Sequence, residues 1–140
     1  LAGKAFAEGC ALVAAIAGGT RPVVQALFVL DPRQRAFGIQ FSPEQMDRFT
    51  AAELARFVDT HGDAAGAVDV QCAVRVGTPR EAIDAAAAEW SADWVVIGTH
   101  GYTGWDRRVF GSVAAEVMQQ APCSVLIIPA QPDRTPRRPA

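Results

Sequence analysis

Gly98, Gly101, Gly111 and Ser112 are spaced as G-x2-G-x9-G-S, a pattern suited to holding an anion rather than to breaking a bond. Glycine lets a backbone turn with positive φ and approach a ligand that a Cβ would keep away. Gly98 and Gly101 are expected to do this after a strand, and Gly111 at the entrance to a helix. The free amides of Ser112, Val113 and Ala114, together with the positive end of that helix, then favour a phosphate. Ser112 is expected to cap its helix or to add a hydroxyl donor. Arg107 and Arg108, inside the loop, are candidates for counter-charge, with a solvated loop face as the plain alternative. His100 is either a ligand contact or a loop histidine satisfied by backbone.

Other chemistries fit less well. His61 and His100 are the only histidines, and Cys10, Cys72 and Cys123 stand far apart, so no metal-ligand spacing exists. No catalytic residue is assigned: Ser112 lacks the G-x-S-x-G elbow and an evident acid-base pair. The loop has no lysine, since Lys4 is the only one in the chain, which argues against a P-loop. No G-x-G-x-x-G opens a dinucleotide site.

The elements that must position this loop are legible in the hydrophobic pattern. Residues 4–17 read as a buried helix that stops at Gly18-Gly19. Val23 to Leu30 is an almost continuous apolar run, the pattern of a parallel strand covered on both faces, and Asp31-Pro32 ends it. After a loop over 31–41, Ser42-Pro43-Glu44-Gln45 opens a helix to about Thr60, with Met46, Phe49, Leu54, Phe57 and Val58 as its apolar stripe. Period-two alternation from Val68 to Val76 predicts a strand with one wetter face. Thr78-Pro79-Arg80-Glu81 has the form of a capping box and opens a helix whose inner face is Ile83, Ala86, Ala87 and Trp90. Trp94 to Ile97 reads as a short buried strand, residues 112–120 as a helix, and Ser124 to Ile128 as the last strand before Pro129. The alternation implies right-handed βαβ crossovers, hence an α/β fold with a mostly parallel sheet and helices on both faces. Ligands of such sheets bind beyond the carboxyl ends of the strands, which selects the loops after Leu30 and Ile97.

At 140 residues and 50% hydrophobic, the chain suits one domain, expected over residues 1–130, followed by a mobile Pro/Arg-rich tail over 131–140. Its 13 basic and 15 acidic side chains nearly cancel and are dispersed, which argues against a nucleic-acid or membrane-surface partner. No apolar run approaches the roughly 20 residues of a membrane span. The three thiols are expected to be buried in a reducing cytosol, and the expected location is cytoplasmic.

The glycine spacing, its setting between Ala92-Asp93-Trp94-Val95-Val96-Ile97 and Ala121-Pro122-Cys123-Ser124-Val125-Leu126-Ile127-Ile128-Pro129, and the segments Val76-Gly77-Thr78-Pro79 and Ala26-Leu27-Phe28-Val29-Leu30-Asp31 resemble the universal stress protein family over residues 1 to about 130. The resemblance implies a five-stranded parallel sheet of order 3-2-1-4-5. The first helix here has no strand before it, so the expectation is a first strand upstream of Leu1, or one supplied by another chain. The resemblance also implies an ATP-binding regulatory stress-response module, with or without Mg2+ and at most slow hydrolysis. Adenine would lie against Val29 and Ile97, and phosphate and ribose on Gly98, His100, Gly101, Gly111, Ser112, Val113 and Ala114. Ala114 departs from the family's frequent hydroxyl residue, and the aspartate that ends the family's first strand is not in this sequence. The alternative is a dimeric scaffold of the same family that binds no nucleotide. In either case the resemblance, and the apolar Ser124 to Ile128 strand at the sheet edge, point to a homodimer through that strand.

Overall fold

A computed structural model describes residues 2–31, 43–61, 67–99 and 111–129. In chain order the elements are α1 (Ala2–Ile16), β1 (Val23–Leu30), α2 (Pro43–His61), β2 (Asp69–Val76), α3 (Pro79–Glu89), β3 (Trp94–Gly98), α4 (Ser112–Gln120) and β4 (Ser124–Ile128). The strands β1 and β4 have the bounds the apolar runs predict, because Asp31 and Pro129 stop them as expected. The expected tail lies outside the described residues.

The strands form two parallel pairs. β1 runs beside β2 from Val23↔Asp69 to Leu30↔Val76, framed by the Asp69 N–H to Pro22 carbonyl bond at 2.9 Å and the Gly77 N–H to Leu30 carbonyl bond at 2.8 Å. β3 runs beside β4 from Trp94↔Ser124 to Gly98↔Ile128. Among the described residues β1 and β3 are not paired with each other. Helices unite the two pairs: α2 lies on β1 and β2 and touches α1, which lies on β3 and β4; α3 lies on β1 and touches α4, which lies on β4.

Two glycines let α1 approach closely. A Cβ at Gly9 would stand 2.7 Å from Val96 Cγ1, and one at Gly3 would run into the His61 ring. The first turn of α1 thus lies against the last turn of α2, where Phe6 meets Phe57 edge-on at 5.7 Å between centroids. His61 donates from Nδ1 to the Phe57 carbonyl at 2.9 Å, since a carbonyl can only accept. α1 ends as predicted, with Gly18 at φ +60° and Gly19 at φ +98°.

Burial departs from expectation in several places. β1 is half-exposed apart from Ala26 rather than covered on both faces, because its edge away from β2 has no partner among the described residues. β2 shows no clean alternation: Cys72 and Val76 are exposed on this outer strand. Of the three thiols expected to be buried, only Cys10 is. Leu54 is buried in α2, and Met46 and Phe49 lie outside the described side chains. α3 buries Ala82, Ala86 and Ala87, while Ile83 is intermediate and Trp90 is exposed at the helix end. Trp94 is exposed too, standing at the start of β3.

The Thr78 capping box forms only in part. Thr78 is the N-cap of α3, but its hydroxyl bonds Glu81 Oε2 at 3.0 Å and no backbone amide. At the other end the Ala92 N–H reaches the Ala87 carbonyl at 2.9 Å and the Ser91 N–H reaches the Ala88 carbonyl at 3.2 Å, the Schellman pattern. Ser91 takes the left-handed position at φ +50°, which strains a residue with a Cβ. Ser91→Gly is therefore expected to stabilise the fold by about 0.5–1 kcal/mol, raising Tm by about 2–4 °C in calorimetry.

An ion pair joins the outer strand to the end of α3. Arg75 donates from Nη2 to Glu89 Oε2, and this hydrogen bond, helped by the charge of Arg75, holds the Glu89 carboxyl below its usual range. A lowered folded-state pKa gives stability that is present above the unfolded carboxylate value and lost as pH falls through the folded one. Glu89→Gln is thus expected to lower Tm slightly at neutral pH, the two melting curves converging as pH drops below about 4. A Tm difference independent of pH would contradict this assignment. The effect is small because Glu89 is exposed and Arg75 only half-buried, so water screens the pair.

Candidate functional site

The carboxyl ends of the strands carry the predicted residues. Val29 is half-buried one residue before the end of β1, across from Arg75. Ile97 is half-buried across from Ile127, and Gly98 closes β3 across from Ile128. Gly98 is therefore extended strand backbone rather than a positive-φ turn, because it remains in the ladder with β4. His100, Gly101, Arg107 and Arg108 lie outside the described residues.

The far side of the motif returns to the end of β3. The Thr99 N–H donates to the Ile128 carbonyl at 3.1 Å, and the Gly111 N–H donates to the Thr99 carbonyl at 2.9 Å. Gly98 and the start of α4 are thereby held side by side although twelve positions separate Gly98 from Gly111 in the sequence. Thr99 carried no signal as a lone threonine after a strand, yet it is 8% exposed and fixes this junction.

Helix α4 begins at Ser112, with Gly111 as N-cap, so Ser112 does not cap it as expected. Gly111 has φ −58° and ψ 140°, a region open to every residue type. Its role is not conformational freedom. What it contributes is the lack of a side chain in front of the helix start, and no side-chain cap bond is formed there. The first bond of the helix runs from the Ala115 N–H to the Gly111 carbonyl at 3.0 Å. The amides of Ser112, Val113 and Ala114 fall outside that ladder, as helix geometry requires. Ser112 is exposed, Val113 is intermediate and Ala114 is buried.

The first turns of α2 and α3 carry Glu44 and Glu81, whereas those of α1 and α4 have no acidic residue. A carboxylate would neutralise the positive end of the dipole and repel an anion. Among the described residues α4 thus presents a helix start without a side-chain cap beside a glycine strand end, an arrangement suited to an anion. Nucleophilic chemistry finds no support nearby: burial pushes the Cys123 thiol upward, with the Asp93 carboxylate adding to this, and burial does the same to Cys10. Among the described residues no group of three His, Cys, Asp or Glu side chains could hold a metal ion, and no helix is long and apolar enough to cross a membrane.

Comparison with known proteins gives the same frame. Putative universal stress proteins of Staphylococcus aureus strains USA300 and NCTC 8325 are 35% identical over 65 residues, 46% of this chain and 39% of theirs. The match therefore spans about two fifths of those relatives' length. Among solved structures, hypothetical protein MJ0577 superposes with a TM-score of 0.70 at 23% identity, covering 90% of this chain and 89% of that one. A universal stress protein in complex with cAMP gives 0.64 at 22%, covering 90% and 87%. UspA from Lactobacillus plantarum gives 0.58 at 22%, covering 89% and 87%. These superpositions establish the shared α/β architecture. The sequence profile of the universal stress protein family matches residues 4–129, and with nine-tenths of its length inside that match the chain belongs to the universal stress protein family.

Proposed function

We propose that this chain is an adenine-nucleotide-binding module, with ATP as its ligand, that acts as a cytoplasmic regulator of a stress response. The observation that carries the reading is the uncapped, acid-free start of α4 beside Gly98, joined to it through the Gly111 N–H to Thr99 carbonyl bond. A phosphate set there meets the amides of Ser112, Val113 and Ala114 and the positive end of the helix. His100 and Gly101 complete the cradle, Arg107 and Arg108 add counter-charge, and the base lies against Val29 and Ile97. The neighbour solved with cAMP supports an adenine nucleotide as the ligand class. Any Mg2+ arrives with the phosphates, and catalysis is at most slow hydrolysis.

The same reading places one further parallel strand between β1 and β3. The sheet then has order 3-2-1-4-5, counting that strand as first. It satisfies the two unpaired edges that the described residues leave between the strand pairs. β4, at the far edge, pairs with a second copy to form a homodimer. A second reading, a dimeric scaffold without nucleotide, draws on Ala114, which is 2% exposed and offers a ligand only its amide.

Titration calorimetry of ATP into the full-length protein decides between them. The expected result is saturable heat with a dissociation constant in the micromolar range. No heat and no thermal protection at millimolar ATP would favour the scaffold.

A further inference from the structure

We propose that Thr99 is a positioning residue for the nucleotide, one that holds Gly98 and the first turn of α4 at a fixed separation; this rests on the nucleotide-site reading above. Thr99 is the buried polar residue among the described core positions, at 8% exposure. Its main chain faces two elements at once. The N–H goes to Ile128 at the end of β4, and the carbonyl takes the N–H of Gly111. Gly98, just before it, is in register with the same Ile128. The Gly111 carbonyl in turn accepts the first helical bond of α4. One residue thus ties the end of β3, the end of β4 and the start of α4.

Donors that share one phosphate must keep their spacing before the ligand arrives, or their ordering is charged against binding. A β-branched residue restricts its own backbone and χ1, and burial restricts Thr99 further. Thr99 acts on the ligand through Gly98 and Gly111, not by touching it.

The test compares Thr99→Gly with Thr99→Val in the full-length protein. Glycine keeps both main-chain groups but frees the backbone, so ATP affinity measured by calorimetry is expected to fall about tenfold. Valine keeps the branch and the volume, so affinity is expected to fall clearly less than in the glycine variant. Hydrogen exchange at the Gly111 amide supplies a readout independent of ligand: it should be protected in the wild type and the valine variant and faster in the glycine variant. If Thr99→Gly does not fold, Thr99→Ala takes its place with a smaller loss expected in the same direction. A glycine variant that melts earlier but binds ATP as tightly as the wild type would overturn the proposal and leave a purely structural residue. A valine variant as weak as glycine would overturn it by showing that the hydroxyl itself is needed. A wild type that binds no ATP overturns the nucleotide-site reading and this proposal with it, and is distinguished by failing before any variant is made.

Discussion

Gly111→Val is expected to weaken ATP binding at least about 100-fold, a loss of about 2.7 kcal/mol, while the protein stays folded. The separation of the two effects follows from the backbone. With φ −58° and ψ 140° Gly111 occupies a conformation valine adopts without strain. The helix cost is that of replacing an N-cap glycine by a poor N-cap residue, about 1 kcal/mol. The functional cost is larger because two methyl groups are introduced where the phosphate must approach the amides of Ser112, Val113 and Ala114. Gly111→Ser sharpens the argument. Serine is a good N-cap, so it should raise Tm slightly, yet its hydroxyl would occupy the amides that a phosphate needs. Affinity is therefore expected to fall while stability rises, an opposition that general destabilisation does not produce. Calorimetric titration alongside thermal melts reads both quantities. Unchanged affinity in the valine variant would remove the start of α4 from the site.

The fold was legible where a single physical rule acts alone. Val23 to Leu30, broken only by Gln25, and Ser124 to Ile128, apolar after its first residue, are runs closed by Asp31 and Pro129, and both strands appear with those bounds. Alternating elements implied parallel pairing, and both observed pairs are parallel. Burial was less legible, because it depends on which neighbour arrives. Trp90 and Val76 have the right spacing for an inner face but sit exposed at element ends, where no further layer covers them among the described residues. Caps were less legible for a related reason. Thr78 and Ser112 are residue types that cap helices, but Glu81 draws the Thr78 hydroxyl to itself, and the N-cap of α4 falls one residue before Ser112, on Gly111. The close seat of α1 on Val96 and His61 could not be read at all, since nothing in a helix marks Gly3 and Gly9 as contacts rather than weak points. In the candidate site the glycines were visible as types and the reason for them was not. Gly98 serves as a strand end and Gly111 as a bare N-cap, and the residue that joins them, Thr99, has no signature outside the folded chain.

Ile127→Pro is expected to convert a homodimer built on β4 into a monomer while leaving each chain folded. The choice of residue comes from the ladder. In a strand the N–H and C=O of one residue point to the same side, and successive residues alternate. The Ile128 carbonyl accepts from the Thr99 N–H, so Ile128 and Leu126 direct their main-chain groups toward β3. Val125 and Ile127 direct theirs toward the edge that has no partner among the described residues. Proline at 127 removes an outward N–H and sets its ring in the path of a pairing strand, but spares the bonds to β3. A two-fold axis doubles the effect, because the same donor is lost from both copies. Charge substitution at Ile128 would answer a different question. That side chain is 4% exposed within the single chain, so a lysine there would bury a charge and unfold the protein instead of separating two copies. Light scattering at micromolar concentration should report twice the chain mass for the wild type and the single mass for Ile127→Pro, with melting temperatures of the separated chains reading their integrity. A variant that keeps the double mass would move the interface off β4. A wild type already at the single mass would show that the edge is covered from within the chain, and residues 131–140 would then be the segment to delete.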